Sequence, residues 1–156
     1  MSGGLRALGA GAIGACAGIG HKGKLAVPVA DVSRGAWTSV LAANLFEAIN
    51  SQVYDDSDHA TSSQNPLNDV FAVRLAEVTD PGVDFGHILK YRYRKVGSGR
   101  ADITVKLKQA DTVIATFSHS DIGSAYSLAE QRLSDAQAAS ITDYADLRVE
   151  VTANKS

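Results

Sequence analysis

From Val70 onward the chain carries an apolar residue at nearly every second position, and a period of two restricts such segments to half-buried β-strands. In Val70 to Glu77, Phe71, Val73 and Leu75 alternate with Ala72, Arg74 and Ala76. In His87 to Lys95, Leu89, Tyr91 and Tyr93 take one face and Lys90, Arg92 and Arg94 the other. Ile103, Val105 and Leu107 alternate in the same way with Asp102, Thr104, Lys106 and Lys108. Thr79-Asp80-Pro81-Gly82 and Val96-Gly97-Ser98-Gly99-Arg100 supply the reversals between them.

Opposed residues of an antiparallel pair share a face. A hairpin between the second and third strands therefore pairs Tyr91 with Val105, Tyr93 with Ile103 and Leu89 with Leu107. It sets Arg94 beside Asp102, Arg92 beside Thr104 and Lys90 beside Lys106. Carrying Val113, Ala115 and Phe117 onto the same face requires a three-residue loop, Gln109-Ala110-Asp111, with Leu107 opposite Val113 and Asp111 in the left-handed conformation.

Ile122 to Arg132 reads as a connection and a further strand with Tyr126 and Leu128 inward. Ser134-Asp135-Ala136-Gln137 matches a capping box worth about 1 kcal/mol and starts a short helix, Asp135 to Ile141. Leu147, Val149 and Val151 form the closing strand. Upstream, Leu25 to Val29 reads as an edge strand, because Pro28 lacks an N–H to donate. Trp37, the only tryptophan, is expected to anchor the end of the core. Leu41, Leu45, Phe46 and Ile49 predict a short helix or a turn across Val40 to Ile49, and the polar run from Val53 to Asn68 a long connection. Seven or eight short strands in such a chain predict an all-β, antiparallel β-sandwich of jelly-roll-like form with one short helix. At 156 residues there is room for one such domain, over residues 31–156, but not for two.

In front of it lies a Gly/Ala-rich leader, residues 1–30, which reads as an extended N-terminal arm. Ile13-Gly14-Ala15-Cys16 resembles a lipoprotein cleavage box, but a signal needs a basic start and a continuous apolar stretch. This segment has Arg6 alone and is broken by Gly3, Gly4, Gly9, Gly11, Gly14, Gly18 and Gly20, so it is expected to be retained. Ordering about twenty-five such residues costs on the order of 25–50 kcal/mol in backbone entropy. Offsetting that cost requires burial of roughly 1,000–2,000 Å² of apolar surface, the size of an obligate interface. The leader is therefore expected to lie on neighbouring subunits, through Leu5, Arg6, Leu8, Ile13, Ile19, His21, Lys22, Lys24 and Leu25, with an arm folded back over its own domain as the alternative.

Fifteen Lys and Arg against 17 Asp and Glu leave a formal charge of -2, so no global field draws the chain to nucleic acid. The single cysteine, Cys16, excludes an internal disulfide and any multi-cysteine metal site. No run approaches the roughly eighteen apolar residues of a membrane span. Asp55, Asp56 and Asp58, with His59 beside them, invite a calcium reading but lack the glycine and distal glutamate of an EF-hand loop. They read as a solvated turn. Ser118-His119-Ser120-Asp121 sets hydroxyl, imidazole and carboxylate side by side, yet a triad is assembled from distant segments, so His119 reads as a hydrogen-bonded residue near a strand end. No phosphate-binding glycine pattern precedes a helix. The sequence thus predicts a non-enzymatic protein with no cofactor and no metal.

Two surfaces remain. Lys90, Arg92, Arg94 and Lys106, with His87 near one end, form a basic stripe that suits an acidic partner or, equally, a solvated strand face. A carbohydrate site is the rival, with Tyr54, Trp37, Tyr126 and Tyr144 as the available rings.

Asn68-Asp69-Val70-Phe71-Ala72-Val73-Arg74-Leu75 and the run from Thr79-Asp80-Pro81-Gly82 through His87-Ile88-Leu89-Lys90-Tyr91-Arg92-Tyr93-Arg94-Lys95 resemble a β-sandwich module of tailed-bacteriophage virion proteins. Thr112-Val113-Ile114-Ala115-Thr116-Phe117 and Leu133-Ser134-Asp135-Ala136-Gln137 through Asp143-Tyr144-Ala145-Asp146-Leu147-Arg148 extend the resemblance over about the last two-thirds of the chain. It implies a virion structural role: capsid cement or decoration, or a neck, collar or tail part. With a glycine-permitted arm able to thread between neighbours, the expectation is a cement protein on the capsid surface, made in the host cytoplasm. Its partners would be the major capsid protein and copies of itself, with a homotrimer suited to local three-fold positions.

Overall fold

In the computed structural model, which describes residues 9–11, 16–19, 24–50 and 58–156, the period-two segments become strands. The elements run β1 (Gly9–Gly11), β2 (Cys16–Ile19), β3 (Lys24–Ala26), β4 (Pro28–Ser33), β5 (Thr38–Val40), α1 (Leu45–Ala48), β6 (His59–Thr61) and β7 (Asp69–Leu75). They continue with β8 (His87–Tyr93), β9 (Ala101–Gln109), β10 (Thr112–His119), β11 (Ser127–Arg132), α2 (Asp135–Ala139) and β12 (Leu147–Lys155). A five-stranded sheet in the order β10-β9-β12-β7-β4 faces a four-stranded sheet, β11-β8-β2-β3, and a small sheet, β1-β6-β5, lies beside them. The fold is an all-β, antiparallel β-sandwich. It carries two short helices, α2 and also α1, which falls within the Val40 to Ile49 stretch read as a helix or a turn.

The inward set follows the alternation. Phe71, Val73 and Leu75 of β7, Leu89 and Tyr91 of β8, Ile103, Val105 and Leu107 of β9, and Leu147, Val149 and Val151 of β12 are buried in one cluster that both sheets share. The Ser134 capping box is present, with Gln137 N donating to Ser134 Oγ at 3.1 Å and Ser134 N to Gln137 Oε1 at 2.9 Å. At α1 the Asp31 carboxylate accepts the backbone N–H groups of Leu45 and Phe46, at 3.1 and 2.7 Å, satisfying two of the donors that a helix start leaves open. The edge strand expected over Leu25 to Val29 divides at Val27: Lys24–Ala26 forms β3 at the edge of one sheet, and Pro28 opens β4 at the edge of the other, where its missing N–H leaves no ladder bond unmade.

The hairpin drawn between β8 and β9 does not exist. The two strands belong to opposite sheets, and β9 pairs instead with β10 and β12 while β8 pairs with β11 and β2. Alternation fixes which side chains point inward, but it does not distinguish two strands side by side from two strands facing each other across a core. The connection after β8 crosses the sandwich through Gly97 and Gly99, whose φ angles of 95° and 107° suit glycine.

The β9–β10 turn also differs. Thr112 pairs with Gln109 across a two-residue loop, Ala110 rather than Asp111 takes the positive φ of 49°, and a bulge separates Val113 from Ala115. The bulge restores Ala115 and Phe117 to the inner face opposite Leu107 and Val105, and leaves Val113 48% exposed. On β11, Ala129 is buried opposite Tyr91, and Leu128, expected inside, is 49% exposed opposite Arg92.

The leader does not stand apart in its described parts. Gly9–Gly11 pairs with β6, and Cys16–Ile19 lies between β8 and β3. The boundary expected at residue 30 falls inside β4. Main-chain hydrogen bonds along the edges of β6 and β8 supply part of the compensation that the entropy estimate sought from neighbours. Of the expected contact residues, Leu5, Arg6, Leu8, Ile13, His21 and Lys22 lie outside the described residues, Ile19 ends β2, Lys24 begins β3, and Leu25 is half-buried.

Candidate functional site

Because β8 and β9 occupy opposite sheets, their outward residues occupy opposite faces of the molecule, and the basic stripe is divided. Lys106 lies on the outer face of the five-stranded sheet, near Glu150 at 3.9 Å, and Lys108 approaches the same carboxylate at 3.1 Å. On the other face Lys90 meets Glu130 of β11 at 3.4 Å. Arg92 and Arg94 flank the Tyr126 ring, their guanidinium carbons 4.9 and 4.6 Å from its centroid, a cation–π arrangement that holds both cations against one ring. His87 is not on the surface at all: it is 3% exposed, and its Nε2 lies 2.9 Å from the Tyr144 hydroxyl. It shares the odd-numbered parity of Leu89 and Tyr91, a signal already present in the alternation.

Two of the four rings proposed for a sugar platform are committed to the interior. Trp37 and Tyr144 are buried, Tyr126 is flanked by the two arginines, and Tyr54 lies outside the described residues. Of the aspartates in the calcium reading, Asp55 and Asp56 also lie outside them, and among the described residues no group of three or more His, Cys, Asp or Glu side chains is placed to hold a metal ion. Among the described residues no helix is long and apolar enough to cross a membrane.

The hydrogen-bonded role expected of His119 holds, but its partners were not anticipated. His119, the last residue of β10, reaches across to the opposite sheet, its Nε2 2.6 Å from the Tyr91 hydroxyl and its Nδ1 2.9 Å from that of Tyr93. Gln131 of β11 hydrogen-bonds to Tyr91 as well. A neutral imidazole has one donor and one acceptor nitrogen, so one phenol donates to the ring and the other accepts from it. Burial raises the Tyr91 and Tyr93 pKa values and lowers that of His119, so the trio stays uncharged near neutrality. Ser118 and Asp121 do not join it. Ser118 Oγ lies 3.4 Å from Thr104 Oγ1, and the Asp121 carboxylate lies 3.7 Å from both Lys95 and Arg100. The trio clamps an edge strand of one sheet to the other. Its signal in the sequence was again parity, since His119 follows Ala115 and Phe117 at steps of two.

This clamp has a pH consequence. The folded His119 binds a proton less readily than the unfolded residue, whose pKa is about 6.5. As pH falls below that value the unfolded chain takes up the proton first, so the contribution of His119 to stability is complete above it and declines until the lower folded pKa is reached. Urea midpoints measured from pH 8 to pH 5 should fall more steeply for the native chain than for His119→Gln. Parallel profiles would remove the clamp from the pH response.

Comparison with protein-family models, curated proteins and solved structures gives no match to this chain.

Proposed function

We propose that the protein is a structural component of a tailed-bacteriophage virion, a cement protein that binds neighbouring coat subunits and reinforces the lattice. The module resemblance over the last two-thirds of the chain supports the class. The observation that carries the mode of action is the seating of the leader strand. β2 occupies a slot between β8 and β3 by antiparallel backbone pairing, and backbone pairing does not distinguish which copy supplies the strand. In a lattice the leader of one subunit can enter the equivalent slot of the next, the domain-swapping route to assembly. The entropy of ordering the leader is then offset by contacts that also join subunits, and many weak contacts acting together slow detachment.

Copy number tests the class. Quantitative mass spectrometry of purified particles should give a count approaching that of the major capsid protein. A few dozen copies per particle would replace the cement reading with a collar or tail part.

A further inference from the structure

Sheet edges invite pairing with foreign strands, and proteins protect them with charge, proline or bulges. Among the described residues, two of the main-sheet edges are protected in this way. β4 begins at Pro28, contains Asp31 and is twice interrupted in register, and β11 carries Glu130 and Arg132. β10 is different. Thr112 to Ser118 contains no charge, no proline and no glycine, and is rich in β-branched and aromatic residues. Its bulge lies between Val113 and Ala115, and the segment following α2 is tied by hydrogen bonds from Thr142 N and Asp143 N to Gln109 Oε1, at 2.7 and 2.9 Å. The bulge and these hydrogen bonds lie at the hairpin end, α2 also touches β10, and no further bulge interrupts Ala115 to His119. That stretch is also held in place, because His119 is pinned to Tyr91 and Tyr93 of the other sheet. A regular, uncharged, immobilised edge is a template for strand addition, with little ordering left to offset on binding.

We propose that this edge is a self-association site, at which β10 of a second copy pairs antiparallel with β10 about a two-fold axis through Phe117. The chemistry of the edge calls for an extended strand, and the same strand is its own complement when run antiparallel. Among registers that keep both inner faces on one side, this one alone pairs the whole of Ala115–His119. Phe117 then meets Phe117 of the second copy, Ala115 meets His119, and Thr116 meets Ser118 on the outer face. The two five-stranded sheets become continuous.

Thr116 and Ser118 lie opposite Lys106 and Thr104 within the chain, so acidic residues at 116 are tolerated by the monomer. Thr116→Glu with Ser118→Glu places a carboxylate opposite a carboxylate twice across the axis, whereas Thr116→Glu with Ser118→Lys places opposite charges there. Sedimentation velocity on the full chain, with circular dichroism to verify folding, should show the native protein passing from 16.3 kDa to twice that mass with concentration. The Glu/Glu variant should dimerise about tenfold or more weakly, and the Glu/Lys variant should return to native affinity. A native chain that stays monomeric, a Glu/Glu dimer of undiminished affinity, or a Glu/Lys variant that fails to recover would each overturn the proposal. A dimer formed by leader exchange would be insensitive to both variants, so failure here leaves the cement reading to its own test.

Discussion

Replacing Trp37 with alanine should lower the free energy of unfolding by about 3–5 kcal/mol, the range for losing a buried large aromatic. The indole is buried, meets the Phe71 ring edge-on at a centroid distance of 4.7 Å, and donates from Nε1 to the backbone carbonyl of Asp69 at 3.0 Å. Asp69 is itself a junction, its carboxylate accepting from Ser63 N at 2.9 Å and Ser63 Oγ at 2.6 Å. Truncation thus opens a void and strands an acceptor where the turn before β5 meets the start of β7. The turn that delivers Trp37 is itself constrained. Gly35 has a positive φ of 53°, and a Cβ there would collide with the carbonyl oxygen of Val70. Trp37→Phe keeps most of the apolar contact and removes the donor, so its cost should be nearer the 1–3 kcal/mol of an unsatisfied acceptor plus a small void. Because the chain has one tryptophan, unfolding in urea should be followed by circular dichroism. A loss below 1 kcal/mol for the alanine variant would contradict an anchoring role.

The strands and most of their inward residues were legible because a period of two survives any arrangement of the sheets. Their neighbours were not. Tyr91 and Val105 do point toward a common interior, but from opposite walls, and nothing local in Lys95 to Arg100 separates a hairpin from a crossover. Runs of consecutive apolar residues defeated the parity argument in two further places. Val113, Ile114 and Ala115 can each be inward, and the bulge decides among them. At Leu128 and Ala129 size decides, since the position opposite the buried Tyr91 ring goes to the smaller side chain. The same misreading joined Lys106 to Lys90, Arg92 and Arg94 in a stripe that the molecule distributes over two faces. His87 and His119 were legible in principle, for both sit in step with buried neighbours. The polarity of His87 directed it to the basic stripe when its spacing directed it inward to Tyr144, whereas His119 is the hydrogen-bonded strand-end residue expected, with Tyr91 and Tyr93 as its partners.

The leader was the least legible segment, because its small residues carry no period and an entropy estimate says how much compensation is needed without saying who provides it. Cys16 allows that to be decided directly. It is the register partner of Lys90, and opposed Cα atoms in an antiparallel pair lie about 4.5–5.5 Å apart, within the range a disulfide spans. Lys90→Cys should give a chain that oxidises readily, at the small cost of one exposed ion pair with Glu130. In dilute solution the bond should close within one molecule, leaving the mass unchanged on a non-reducing gel and stabilising the fold by about 4 kcal/mol through the long loop it closes. In assembled particles the same oxidation should link chains into covalent ladders if leaders are exchanged. Intramolecular bonds alone in the particle would confine the leader to its own body and remove strand exchange as the means of cementing. Thiols that remain free in both settings would mean that β2 does not occupy the slot beside β8. The proposed strand exchange depends on the ladder, and the register of the fold depends on either bond forming, so one variant separates an error in the assembly from an error in the sheet.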